Sequence, residues 1–167
     1  MNKTYAILGY STENIGDDIQ SFIAGKIFSP KYIINRDDYT QVYSYETRNP
    51  VSIEEDRIHL IMNGWMMHDV YGHGPYSPQF TNNYKFPIED KRIVPIFLAT
   101  HLSPYVPYLL EKQCIDYYKQ HEPIYCRDNH TKEKLQKYNV KGEYVGCISQ
   151  LLKREWVSDK YQKKYTG

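Results

Sequence analysis

The chain is punctuated by short apolar runs, each of which ends in a glycine or is followed by a polar or charged residue. The first is Tyr5-Ala6-Ile7-Leu8-Gly9, and later ones are Tyr32-Ile33-Ile34, Arg57-Ile58-His59-Leu60-Ile61-Met62 and Ile93-Val94-Pro95-Ile96-Phe97-Leu98-Ala99. Pro123-Ile124-Tyr125-Cys126 and Glu143-Tyr144-Val145-Gly146-Cys147-Ile148 complete the set. Runs of this length without alternation read as strands buried on both faces, the mark of a parallel sheet covered by helices. Between them lie helical periods. Ile15, Ile19, Phe22, Ile23 and Ile27 recur at three- and four-residue steps, which predicts a helix over 16–28 with those residues on its buried face. A second helix is expected from about Pro104 to Gln120, with Ser103 as N-cap and Pro104 at its first position. A third opens at Asn129 or His130 and runs through Tyr138. Strands alternating with helices imply an α/β Rossmann-like three-layer sandwich with a mostly parallel sheet of about six strands. Pro95 points to an edge or a bulge in its strand.

At 167 residues the chain suits one domain with one core, here 1–152, followed by a charged tail, 153–167, that reads as a terminal helix or a frayed end. With 21 Lys+Arg against 20 Asp+Glu, no global field draws in nucleic acid or an anionic membrane. Aromatic load falls on tyrosine, with 18 Tyr against 5 Phe and 2 Trp, which is too apolar a set for a disordered chain. No apolar stretch approaches the roughly 20 residues that cross a bilayer, and the start lacks the apolar region of a secretory signal. The expectation is a cytoplasmic protein. Cys114, Cys126 and Cys147 are spaced neither as a disulfide framework nor as a zinc site, and read as reduced, mostly buried thiols.

Ligands of open parallel sheets sit at the carboxyl ends of the strands, so the residues just past each run are the candidates for chemistry. After the first come Asn14-Ile15-Gly16-Asp17-Asp18, where Gly16 permits close backbone approach and the helix start can receive an anion. Asp17 equally caps the helix dipole. G-x-G-x-x-G is absent there, so this is no dinucleotide fingerprint. Next come Arg36-Asp37, Asn63-Gly64-Trp65, Thr100-His101 and Arg127-Asp128. Pairing with a neighbouring helix carboxylate is the favoured reading of Arg36. For Arg127 that pairing and a phosphate- or carboxylate-binding fork both stand. His101 suits proton transfer or a satisfied rim position, and Trp65 suits packing better than stacking. The long segment from Met66 to Lys91 reads as an active-site flank. Its His68, Asp69 and His73 lack the helical spacing of a metal site, so no metal is expected. A Ser/His/Asp hydrolase lacks its G-x-S-x-G elbow.

In order along the chain, Asn14-Ile15-Gly16-Asp17-Asp18-Ile19-Gln20-Ser21, Asn63-Gly64-Trp65, Pro123 to Thr131 and Gly146-Cys147-Ile148-Ser149 resemble the polysaccharide pyruvyl transferase family over roughly residues 4–152. The resemblance implies transfer of a pyruvyl unit from phosphoenolpyruvate to sugar hydroxyls of a glycan, with no further cofactor. It implies one lobe of a two-lobed, glycosyltransferase-B-type fold, completed by a second lobe, a subunit or a homo-oligomeric partner. On the resemblance, His101 and Asp17 are the catalytic candidates. Arg127, Asn14 and Gly16 would hold the donor, and Asn63, Gly64 and Trp65 the acceptor side of the cleft. The alternative is an inactive single-lobe relative that binds a sugar or nucleotide, or serves as a scaffold.

Overall fold

A computed structural model of the chain describes residues 3–9, 15–36, 38–66, 86–104 and 106–157, with the backbone alone for Trp65 and Met66. Among the described residues, seven strands form one sheet: β1 (Tyr5–Gly9), β2 (Tyr32–Asn35), β3 (Val42–Ser44), β4 (Ile58–Met66), β5 (Ile93–Leu102), β6 (Ile124–Cys126) and β7 (Gly142–Tyr144). Their spatial order is β3-β2-β1-β4-β5-β6-β7. All neighbours pair in parallel except β2 and β3. The antiparallel β3 lies within Tyr39 to Ser52, a stretch rich in Tyr and Thr that carries no strand signal of its own. The chain runs outward from β1 on one side, returns across it, and continues from β4 on the other. That reversal between β1 and β4 is the topological switch point of a doubly wound sheet.

Both faces are covered, which explains the uninterrupted apolar runs. Ile7, Ile33, Ile61 and Ala99 pack with Ile23 and Ala24 of helix α1 (Ile15–Phe28) and with Ile148. Alternate residues, among them Ala6, Leu8, Ile34, Leu60 and Phe97, join Cys114, Ile115 and Tyr118 of α2 (Lys112–Gln120) and Leu135 of α3 (Asn129–Gln136) in the larger cluster. Helices on opposite faces before and after the switch point are what right-handed crossovers require.

Three expectations need correction. Ile15 is 75% exposed, and Phe22 and Ile27 are also exposed, whereas Gln20, Ile23, Ala24 and Gly25 are buried. The reason lies at the strand ends: Ser21 Oγ donates to the Leu8 carbonyl at 2.6 Å, which turns α1 so that polar Gln20 and Ser21 face the sheet. The second helix is split, because Pro107 starts a separate 3-10 turn, Pro107–Leu110, and extended Glu111 precedes α2. The sixth expected strand stops at Tyr144, and Ile148 belongs to a 3-10 turn, Ile148–Leu151, beyond Gly146 at φ +79°. In the tail, Arg154–Trp156 is one more 3-10 turn, with Trp156 against the α1-side core. Pro95 pairs with Leu60 in β5, in the half of the strand that precedes its β6 pairing at Thr100↔Cys126, so that flank behaves as an edge. Among the described residues no helix is long and apolar enough to cross a membrane.

The register of β4 and β5 slips. Asn63 is opposite Leu98, but Trp65 is opposite His101, so β5 carries one extra residue. Gly64 (φ +127°) and Ala99 (φ +53°) absorb the mismatch in the left-handed region. Before the bulge, Ile93 and Phe97 face the larger cluster; after it, Leu102 does. The parity of β5 is therefore reversed at His101.

The rotated face of α1 gives a direct test by chemical denaturation. Ile23→Ala should cost about 2–5 kcal/mol, while Ile15→Ala should change stability by no more than about 0.5 kcal/mol. Equal losses at both positions would contradict the observed orientation.

Candidate active site

Two polar clusters sit at the carboxyl ends of the parallel strands. The first occupies the switch point. Arg36 follows β2 and is buried, with its side chain 6% exposed, and its Nη1 lies 3.5 Å from Asp17 Oδ1. Its Nη2 donates to Ser21 Oγ at 3.2 Å, and Asn63 Nδ2 reaches the same oxygen at 3.5 Å. Gln20 Nε2 donates to the Gly16 carbonyl at 3.2 Å. Gly64 lies against this group: a Cβ there would come within 3.5 Å of Arg36 Nη1 and 3.9 Å of both Asp17 Oδ1 and Gln20 Oε1. A buried arginine needs a counter-charge, and Asp17 supplies it.

The second cluster is built on β5 and the start of α3. His101 Nδ1 lies 2.5 Å from Asp128 Oδ2. Asp128 is also the N-cap of α3, where its Oδ1 accepts the Thr131 N–H at 2.8 Å. Fully buried Thr131 in turn accepts the Leu102 N–H through Oγ1 at 3.1 Å, which ties the helix start to the end of β5. The Arg127 N–H donates to the Thr100 carbonyl at 2.9 Å and sets Arg127 beside this dyad in the chain. Desolvation pushes the Asp128 carboxyl upward, but hydrogen bonds from His101 and from Thr131 outweigh it and hold the group below the usual aspartate range. A carboxylate can only accept, so Nδ1 carries the proton and Nε2 is the basic nitrogen of the neutral ring. A histidine oriented in this way can take and return a proton at Nε2.

Of the residues read from sequence, the structure groups Gly16, Asp17, Asn63 and Gly64 around Arg36, and places His101 and Arg127 with the second cluster. Arg36 makes the carboxylate pair expected of it. Asn14, His68, Asp69 and His73 lie outside the described residues, as does the Trp65 side chain. Among the described residues no three His, Cys, Asp or Glu side chains gather as a metal site. All three cysteines are free thiols, with Cys147 only partly buried. Burial pushes Cys114 up to about 12 and Cys126 up to about 11, so neither is a thiolate nucleophile at neutral pH. Sequence reasoning missed Asp128 as the partner of His101, and Gln20 and Ser21 as site residues. The Asp128-to-Thr131 spacing is a recognisable helix cap. Nothing local links it to a histidine 27 residues earlier.

The depressed Asp128 group contributes stability that is present above its unfolded value of about 3.9 and is lost as pH falls through its lower folded value. Asp128→Asn keeps a good N-cap but removes that titration. Unfolding free energies measured from pH 6 to 3 should therefore fall less steeply in the variant; parallel curves would refute the assignment.

The family model for polysaccharide pyruvyl transferase matches residues 14–164. No curated protein and no solved structure matches the chain. A match over most of the chain, on a doubly wound sheet with polar clusters at its strand ends, shows that the chain belongs to the polysaccharide pyruvyl transferase family.

Proposed function

We propose that this chain acts in transfer of a pyruvyl unit from phosphoenolpyruvate to two hydroxyls of a glycan acceptor. The observation that carries the reading is the His101–Asp128 contact of 2.5 Å at a strand end of a family member. In the reaction, a proton adds to the methylene carbon of the donor and a sugar hydroxyl bonds to C2. The C2–O bond to phosphate then breaks, and a second hydroxyl closes the ketal. Of the two hydroxyl protons, one ends on the new methyl group and the other on the released phosphate.

Each step needs a proton moved at a fixed position, and His101 Nε2, aimed by Asp128, is the group we assign to it. Asp128 is a positioning residue, because it acts through the imidazole. Arg127 offers a planar fork for the donor's phosphate or carboxylate. Gly16 and the amides at the start of α1 belong to the same donor side, and Asn14 is assigned there by its place in the family motif. Asn63, Gly64 and Trp65 form the acceptor side in this reading. Asp17, paired with Arg36, is assigned to holding the cleft wall. The donor carries about three negative charges at neutral pH, and one guanidinium neutralises only one of them. The reading therefore includes a second lobe or subunit that supplies further cations across the cleft.

Calorimetry with phosphoenolpyruvate tests the donor assignment. The wild-type chain should bind it, and Arg127→Ala should weaken binding about tenfold or more, the value of a charge-assisted pair. Absence of donor binding by the wild type would overturn the reading. With a glycoside acceptor present, phosphate release should fall about 10²–10⁴-fold in His101→Ala, the span of general acid–base contributions. Donor binding without any phosphate release would favour the inactive, single-lobe alternative.

A further inference from the structure

The rotation of α1 leaves a stripe of side chains that the fold does not use. Ile15, Asp18, Phe22 and Lys26 are exposed and recur at steps of three and four residues, so they share one side of the helix, turned away from buried Ile23 and Ala24. The 3-10 turn Ile148–Leu151 packs beside α1 through Ile148, and Leu151 and Leu152 are exposed as well. Five of the nine large apolar side chains exposed among the described residues, Ile15, Phe22, Ile27, Leu151 and Leu152, therefore lie on this one covering layer. Such clustering marks a surface that another molecule covers.

The charges on the stripe identify that molecule. Asp18 stands four residues before Phe22 and Lys26 four residues after it, about 6 Å to either side along the helix axis. Lys26 Nζ lies 5.5 Å from the centre of the Phe22 ring, which holds the ammonium at the stripe. One acid and one base at equal distances give no net field for a strongly charged partner, nor for an anionic membrane, on which a surface helix carries a basic face. They do match the same stripe inverted. When two copies of α1 lie antiparallel about a two-fold axis at Phe22, the two rings meet on the axis and each Asp18 faces Lys26 of the partner subunit. The antiparallel setting also places the positive start of each helix beside the negative end of the other.

We propose that the chain forms a two-fold symmetric dimer through the outer face of α1, centred on Phe22 and closed by two Asp18–Lys26 pairs between subunits. Because α1 begins at the carboxyl end of β1, the candidate active sites of the two subunits lie at opposite ends of this seam. The surface shares no residue with the His101–Asp128 pair, so dimerisation stands apart from the pyruvyl-transfer reading.

Analytical ultracentrifugation of the full-length protein, from micromolar to submillimolar concentration, provides the test. The wild type should sediment as a dimer that dissociates on dilution, and Phe22→Ser, at an exposed position, should sediment as a monomer with unchanged circular dichroism. Asp18→Lys and Lys26→Asp each set like charges opposite one another twice per dimer, and each should weaken association about tenfold or more. The double variant, Asp18→Lys with Lys26→Asp, re-forms both pairs and should return the dissociation constant to within about threefold of the wild-type value. Residues eight apart on a helix do not touch, so that recovery can arise only between subunits. Both substitutions oppose the helix dipole, so a general gain in stability cannot produce it. A wild type that stays monomeric would overturn the proposal, as would a dimer that survives Phe22→Ser, single variants that associate as the wild type does, or a double variant as weak as the singles.

Discussion

One extra residue in β5, opposite Gly64 of β4, sets the geometry of the strand ends. In an unbroken strand His101 would share its face with Ile93 and Phe97 and point into the larger apolar cluster, where an imidazole finds no partner. The bulge reverses the parity, sends Leu102 into that cluster, and leaves His101 to meet Asp128. It needs two residues in the left-handed region. Gly64 adopts it without penalty, whereas Ala99 carries a side chain and holds φ +53°. A bulge that stores strain beside a histidine–carboxylate pair is a device for aiming a side chain.

The dyad is then fixed from the other side by ordinary helix capping. Asp128 satisfies the Thr131 amide and Thr131 satisfies the Leu102 amide, so the bonds that begin α3 are the same bonds that orient the imidazole. β4 divides this cluster from the one at the switch point: Asn63 faces Ser21 and Arg36, while Trp65, two residues on, is the register partner of His101. The histidine–carboxylate pair and the buried arginine cluster thus occupy neighbouring strand ends of one sheet. The glycine between Asn63 and Trp65 lies where the two meet, since it sits in the bulge and against Arg36.

Much of this architecture was legible in the residue pattern, because strands buried on both faces leave unbroken apolar runs and the polar residues that end them mark the ligand side. Arg36, Asn63, His101 and Arg127 are singled out in that way, and the structure places them at or just past those strand ends. The face of α1 was misread because its apolar period ran through Ile15 and Phe22, while a single hydrogen bond from Ser21 to the end of β1 rotated the helix. Pro107 split a helix whose capping signals stood earlier, at Ser103 and Pro104. Pro95 signals an edge or a bulge in β5, but nothing local places the bulge at Leu98-Ala99-Thr100, which reads as plain strand, and the partner of His101 follows only once β5 and β6 lie side by side. The pairing of distant polar groups is a tertiary fact, and composition and period do not reach it.

The claim that the bulge aims His101 at Asp128 is tested most directly by nitrogen-15 NMR of the imidazole in the wild type and in a variant that deletes Ala99. The account predicts an Nδ1-protonated ring in the wild type, with a strongly downfield Nδ1–H signal from its bond to the carboxylate, and loss of that signal in a deletion variant that still folds. An Nε2-protonated ring in the wild type, or an Nδ1–H signal that survives the deletion, would contradict it.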